Sequence, residues 1–374
     1  MNIVPKHTIM NFPRLTVVVA VIALIPIFAI AGTKEIPSSK YNPQVVKQRL
    51  ERMESIVNVK YTDEVAEYIK AYLTNGRTGS GIIQGYGKVY FPAIEYNIQL
   101  DGLPDDLKYL SVIESSLRPY ATSTAGAAGL WQIMPNTARL YGLVIDDYVD
   151  ERRDPYRSTE VALKYLQHLY QEFHSWELAM AAYNCGPGRL KQAIRDSGGQ
   201  TDFWKLRPFL PQETANYLPR YIAASYMMKY GFLHGIVPIL RDPTMLNTSA
   251  VIVYSRLGFH EIEDASKTKY SLIRKLNSMY FKGVIPASDY GHFVTLPQKA
   301  SKKLSIYLNK KCNSNFSTQQ YRIFTYTIKD GDSLGEIGEK FDCSAADLRN
   351  WNNLRSSKIF VGQRLTIKVP LKRA

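Results

Sequence analysis

The spacing of apolar residues changes along the chain, and the changes mark out its parts. Residues 15–31 form an apolar run with no charge inside it. Beyond it, to about residue 231, apolar positions return every three or four residues, the period of helices buried along one face. Residues 33–60 open polar and then turn helical. Residues 61–75 and 88–100 predict two helices separated by a glycine-rich stretch, 76–87. Leu103, Leu107, Leu110, Ile113 and Leu117 lie on one face of a further helix, started by Pro104, Asp105 and Asp106 and stopped by Pro119. After Gly231, residues 251–254 and 293–296 read as strands. Residues 298–320 carry five lysines, no acid and a polar end, and read as a basic linker. Residues 321–374 form a compact unit. The segment 236–297 echoes it: Ile273-Arg274-Lys275-Leu276-Asn277 matches Leu348-Arg349-Asn350-Trp351-Asn352, each between an upstream and a downstream strand. That is the mark of a degenerate internal repeat.

Composition fits a globular protein, with 45% hydrophobic and 21% charged residues. Forty-seven Lys and Arg against 33 Asp and Glu give a net charge of +14, which favours an anionic partner: nucleic acid, an acidic membrane surface or an anionic wall polymer. Residues 1–31 contain no acid, Lys6 and Arg14 precede the apolar run, and the run ends Ala29-Ile30-Ala31. This is the pattern of a cleaved secretory signal, with an uncleaved anchor through residues 15–31 as the alternative; Pro26 and the short length count against a span. Export to the periplasm or cell envelope removes nucleic acid from the candidate partners. No cysteine near residue 31 offers a lipid attachment atom. Cys185, Cys312 and Cys343 stand far apart and no histidine pair has metal-ligand spacing, so neither a disulfide framework nor a metal centre is expected.

The candidate chemistry starts at Glu114, which interrupts the apolar stripe of the 103–117 helix. A carboxylate there is costly unless paired, hydrogen-bonded or protonated, and desolvation raises its pKa toward the range of a general acid. A structural glutamate paired with an arginine is the plain alternative. Downstream, residues 123–135 combine Ser123, small residues, Gly126, Gly129, Gln132 and Met134, a loop whose backbone can approach a ligand. Trp131 there is either a surface for sugar stacking or a core residue. Ala182-Tyr183-Asn184 closes an apolar helix broken by Gly186 and Pro187, facing a cleft or merely packing. Residues 211–219 open another helix with Glu213 in its first turn, where an acid ordinarily offsets the helix dipole.

Taken in order, Ile113-Glu114-Ser115-Ser116, Gly129-Leu130-Trp131-Gln132-Ile133-Met134-Pro135, Ala182-Tyr183-Asn184 and Leu210-Pro211-Gln212-Glu213-Thr214 resemble the lytic transglycosylase family with the goose-lysozyme-like catalytic fold. The resemblance implies an α+β chain. A mainly α-helical lysozyme-like catalytic domain over 101–235 is packed on by a helical region over 33–100 and followed by small βααβ LysM-type modules. It implies a carbon–oxygen lyase that needs no cofactor and acts on peptidoglycan glycan strands, with Glu114 as the single acid and base. Ser123, Gln132, Met134, Tyr183, Asn184 and Glu213 would contact the substrate. The implied product is a 1,6-anhydro-N-acetylmuramic acid end. Cys185 stands where relatives usually carry serine. Two other functions stay open. A hydrolytic muramidase would need a second acid, with Asp146, Asp147 or Asp150 as candidates. A non-catalytic wall-binding scaffold would use a dead cleft.

Residues 321–374 resemble the LysM carbohydrate-binding module. The carrying features are the 326–329 strand, the Gly331-Asp332 turn, the capping patterns Ser333-Leu334-Gly335-Glu336 and Ser344-Ala345-Ala346-Asp347, and a closing strand over 359–367. The resemblance implies that Gly331, Asp332, Ser333, Leu334, Ser357, Lys358 and Ile359 line a groove for N-acetylglucosamine-containing glycan. The 236–297 copy lacks the Gly-Asp-Ser-Leu turn, and useful glycan affinity is not expected of it.

Overall fold

A computed structural model describes residues 9–10, 41–288, 291–312, 321–341, 343–352, 354 and 356–370. The candidate leader, apart from Ile9 and Met10, and residues 313–320 lie outside the described residues. Two compact units emerge, one holding 41–146 and 150–246 and the other 147–149 and the residues from 247 onward with Ile9 and Met10.

The helical period of the first unit becomes α1 (Pro43–Glu51), α2 (Asp63–Leu73), α3 (Arg77–Leu100), α4 (Leu110–Ser115), α5 (Pro135–Leu140), α6 (Pro155–Phe173), α7 (Trp176–Cys185), α8 (Pro187–Asp196), α9 (Phe203–Leu206), α10 (Gln212–Ala215) and α11 (Tyr217–Tyr230). Side-chain oxygens mark several starts: Asn42 caps α1, Thr62 caps α2, Asp154 caps α6 and Ser175 caps α7. The axis of the unit is α11. Leu218, Tyr221, Ile222, Ala223, Tyr226 and Met227 bury nearly its whole circumference, and α2, α4 and α7 pack around it.

The glycine-rich 76–87 stretch does not separate two helices. It is the first half of α3, which runs 24 residues. The reason is packing against the segment after α11. A Cβ on Gly81 would sit 2.7 Å from the Val237 carbonyl oxygen, and one on Gly85 only 2.1 Å from that of Ile239. One face of α3 has to be bare for that backbone to lie on it, and the Ile239 N–H donates to the Gly81 carbonyl at 2.7 Å. The helix read over 103–117 is also broken up. Asp105–Tyr109 is a 3-10 turn, α4 begins at Leu110, and the α-helix stops at Ser115 rather than at Pro119.

In the second unit, β2 (Thr248–Val253) pairs antiparallel with β5 (His292–Pro297), and the short β1 (Ile9–Met10) adds to β2. Between β2 and β5 come β3 (Leu257–Gly258), α12 (Phe259–Ser266), α13 (Tyr270–Leu276) and β4 (Val284–Ile285), with β3 and β4 paired. The basic linker reading of 298–320 fails over its first part. Gln298–Cys312 is a helix, α14, whose Ala300, Leu304 and Leu308 recur every four residues and enter the core with Val251, Phe259, Ile273 and Leu296. Lys299, Lys302, Lys303, Lys310 and Lys311 are exposed, so the charge run is the solvated face of an amphipathic helix.

The last stretch is β6 (Tyr321–Thr327), α15 (Leu334–Lys340), α16 (Ala345–Trp351) and β7 (Arg364–Pro370), with β6 and β7 antiparallel around Ile328, Leu334, Ile337, Leu348, Leu365 and Ile367. Both helices start on capping boxes, Ser333 with Glu336 and Ser344 with Asp347. The two βααβ stretches share one device at the sequence echo. The Asn277 amide donates to the Ile273 and Thr295 carbonyls, each at 2.8 Å, and accepts from the Thr295 N–H at 2.7 Å. Asn352 donates to Leu348 and Thr366 at 2.8 and 2.9 Å and accepts from the Thr366 N–H at 2.6 Å. In each copy one asparagine ties the end of the second helix to the middle of the last strand.

Candidate active site

Glu114 is the penultimate residue of α4, whose Leu110, Ser111, Val112, Ile113 and Ser115 are all buried. The chain then leaves through two left-handed residues, Ser116 (φ 55°) and Leu117 (φ 59°). Consecutive non-glycine residues there are strained, and the surroundings enforce them. The Ser115 hydroxyl donates to the Leu130 carbonyl at 2.8 Å and accepts from the Arg118 N–H at 3.1 Å, so the end of α4 is stapled to the loop that follows.

That loop is a small hairpin. Thr122 pairs with Ala128 and Ala128 with Ile133. The Ser123 hydroxyl accepts from the Ala127 N–H at 3.0 Å, and the Gln132 amide donates to the Gly129 carbonyl at 2.9 Å. Arg152 fixes the hairpin from below. Its guanidinium forks onto Asp150 at 2.9 Å and reaches the Gly126 and Ile133 carbonyls at 2.7 and 3.1 Å. At Gly129 (φ +87°) a Cβ would lie 1.7 Å from the Arg152 carbonyl, so only glycine fits. Trp131 is wholly buried, with its indole N–H on the Thr159 hydroxyl at 2.8 Å. It belongs to the core and offers no surface to a sugar. Met134, by contrast, is 43% exposed where the hairpin meets α5.

The Tyr217 phenol, first residue of α11, donates to Glu114 Oε1. One turn along, Arg220 Nη2 donates to the Ile113 carbonyl at 3.0 Å. Burial pushes the Glu114 carboxyl from 4.5 up to about 7; the Tyr217 hydrogen bond and the Arg220 charge pull it down, and the charge of Glu213 pushes it up. Tyr183 donates to the Trp131 carbonyl at 2.7 Å. Burial and then the neighbouring Glu114 charge hold its phenol well above its ordinary value, so it stays a neutral donor. The Asn184 side-chain oxygen accepts from the Thr214 hydroxyl at 2.7 Å, which locks the end of α7 to the turn carrying Glu213.

Of the candidate residues, Glu213 acts on Glu114 by its charge, Tyr183 is itself raised by the Glu114 charge, and Asn184 is tied to the turn beside Glu213. Ser123, Gln132 and Met134 sit on or next to the hairpin stapled to α4. Tyr217 and Arg220 escaped the sequence reading, although Tyr217 lies within the 211–219 segment and Arg220 is a charge flanked by apolar and aromatic residues in the first half of α11. Of the proposed second acids, Asp150 is 4% exposed and bound to Arg152 and Arg153, and Asp146 and Asp147 are exposed. Among the described residues the acid that acts on Glu114 is Glu213, which is itself exposed. Burial raises the Cys185 thiol, which suits an inert side chain rather than a nucleophile.

The chain is 32% identical over 327 residues to the membrane-bound lytic murein transglycosylase D of Escherichia coli (strain K12), covering 83% of this chain and 70% of that protein. The chain belongs to the lytic murein transglycosylase family. Within it, residues 92–205 match the Transglycosylase SLT domain and residues 326–368 the LysM domain. The soluble lytic murein transglycosylase of the same strain is 33% identical over 139 residues, 35% of this chain and 21% of that one. Among solved structures, the 70 kDa soluble lytic transglycosylase of Escherichia coli aligns with a TM-score of 0.35 and 24% identity, over 50% of this chain and 33% of that one. In this family member Glu114, the hairpin, Tyr183 and Asn184 fall inside the SLT match, whereas Glu213, Tyr217 and Arg220 lie beyond its end.

In the LysM domain, Gly331 (φ +86°) makes the turn after β6, and the Asp332 carboxylate accepts from the Lys329 N–H at 2.7 Å and the Tyr326 phenol at 2.9 Å. Ser333 caps α15, and the Leu334 side chain lies in the core, so Leu334 can offer a ligand only its backbone. Ser357 and Lys358 are exposed, and Ile359 is half-buried against the core.

Proposed function

We propose that this chain is a peptidoglycan lytic transglycosylase. It cleaves the β-1,4 bond between N-acetylmuramic acid and N-acetylglucosamine and leaves a 1,6-anhydro-muramic end. The observation that carries the reading is Glu114: one carboxyl held by Tyr217 and raised by burial to about 7, on which, among the described residues, the acid that acts is the exposed Glu213.

The reaction uses that carboxyl twice. Protonated Glu114 donates to the glycosidic oxygen as the bond from C1 breaks, and positive charge develops at C1 of the muramic acid. The carboxylate left behind is supported by the Tyr217 hydrogen bond and the Arg220 charge. It takes the proton of the C6 hydroxyl of the same sugar, and that oxygen closes on C1. Glu114 ends protonated and no water is consumed. Attack from within one ring has the entropic advantage of proximity, which removes the need for a carboxylate nucleophile.

Ser123, Gln132, Met134, Tyr183, Asn184 and Glu213 line the glycan cleft in this reading. The LysM domain tethers the enzyme to the wall through Gly331, Asp332, Ser333, the Leu334 backbone, Ser357, Lys358 and Ile359. The setting is the bacterial envelope, reached by export; among the described residues no helix is long and apolar enough to cross a membrane. Digestion of isolated peptidoglycan followed by mass spectrometry tests the proposal. Muropeptides one water lighter than hydrolytic products, absent with Glu114→Gln, are expected. Ordinary reducing ends would make the protein a muramidase instead, and no soluble product would make it a binding scaffold.

A further inference from the structure

Beside the Glu114 region the first unit holds a cleft of about 320 Å³, between Tyr68, Ala71 and Tyr72 of α2 and Gly79 and Ile83 of α3, with Arg220 of α11 on its lining. Its walls are mainly apolar. The one hydroxyl on the α3 side, Ser80, is already spent on the Tyr72 and Gly76 carbonyls at 2.8 and 3.2 Å. That leaves Arg220 as the charged donor. Among the described residues it forms no ion pair; one N–H goes to the Ile113 carbonyl, and the rest of the guanidinium fork is available. Its charge acts on the Tyr72 phenol on one side and on Glu114 on the other. Arg220 therefore joins the cleft to the catalytic carboxyl through a single side chain.

An apolar cleft with one forked cation fits a short chain that has small apolar side chains and ends in a carboxylate. We propose that this cleft binds the carboxylate-bearing peptide stem that peptidoglycan carries on its muramic acid residues, with the carboxylate on Arg220 and the methyl groups against Tyr68, Ala71 and Ile83. The proposal rests on the catalytic reading for the identity of the polymer. It also gives the cleft a consequence for catalysis. A bound carboxylate offsets the Arg220 charge that holds Glu114 down, so the acid stays protonated to higher pH on substrate that still carries its peptide.

The direct probe is N-acetyl-D-alanyl-D-alanine against its C-terminal amide, titrated calorimetrically into the full protein. Saturable binding of the acid is expected, at least about tenfold weaker for the amide and for Arg220→Gln, with partial recovery in Arg220→Lys. Ala71→Trp, on the exposed face of α2, fills the cleft and abolishes binding without touching the carboxylate partner. Equal binding of acid and amide, or no saturation by either, overturns the proposal. The second readout compares peptide-bearing and peptide-stripped glycan. The wild type is expected to favour the former in kcat/KM, with its alkaline limb at higher pH, and Ala71→Trp to bring the ratio to one. A ratio that Ala71→Trp leaves unchanged overturns the cleft while the catalytic reading stands. Peptide binding with no anhydro product from either glycan overturns the catalytic reading and leaves the cleft.

Discussion

Replacing Glu114 by glutamine should stabilise the protein progressively as the pH rises above about 4.5, with the full effect reached above about pH 7. Burial lifts this carboxyl from 4.5 to about 7, so the folded state holds a proton that the unfolded chain releases. A group raised in this way contributes stability that is whole below about pH 4.5 and lost as the pH climbs through about 7. At about 1.4 kcal/mol per pH unit, the wild type gives up as much as about 3 kcal/mol across that window. Glutamine is nearly isosteric, its carbonyl still accepts from the Tyr217 phenol, and it never ionises. The variant should therefore match the wild type near pH 4 and exceed it near pH 8 by up to about 3 kcal/mol, roughly 6–12 °C in Tm for a unit of this size. Thermal unfolding of both proteins across that pH range is the assay. A constant difference at every pH, or a variant less stable than the wild type at pH 8, would refute the claim that Glu114 is held as a buried acid.

Three further outcomes follow from the same geometry. Tyr217→Phe removes a hydrogen bond that lowers the Glu114 pKa; the alkaline limb of the activity profile should move up, and kcat should fall about 10- to 100-fold, the worth of one hydrogen bond to a charged group. Gly129→Ala forces a Cβ to within 1.7 Å of the Arg152 carbonyl at a positive φ and should cost about 3 kcal/mol or more, read as a collapse of Tm for the helical unit. Asn277→Ala and Asn352→Ala each delete three hydrogen bonds and should speed amide exchange in the 292–297 and 364–370 strands respectively, without changing exchange in α11.

The fold was legible where local chemistry decides it. Capping patterns at Ser333 and Ser344, the strands around Val251 and Val294, and the asparagine echo at 277 and 352 are each written in a few neighbouring residues. It misled where a distant segment decides. Glycines 81 and 85 look like a break because glycine ordinarily is one; they are helical because the backbone of 237–239, about 155 residues away, needs their bare face. The lysines of α14 suggested a linker because their charge outweighed three apolar residues spaced for burial. In each case the local signal was real and a tertiary contact overrode it.

The site shows the same division more sharply. A charge in the middle of an apolar stripe exposed Glu114, because a carboxylate taken out of water is costly enough to demand a reason. Arg220 is likewise a charge set among apolar and aromatic residues of α11, and its meaning depends on the first: its charge acts on Glu114, and its hydrogen bond goes to the backbone one residue before it. A single sequence displays the two charges 106 positions apart with nothing to join them. Burial is what joins them. It raises the acid to the pH at which it can both give and take a proton, and it leaves the arginine beside it with donors to spare. An acid enclosed alone would be held too high to support its own anion after donating. With Tyr217 and Arg220 against it, Glu114 is enclosed enough to keep its proton and supported enough to lose it, and a reaction that runs on one carboxyl needs both.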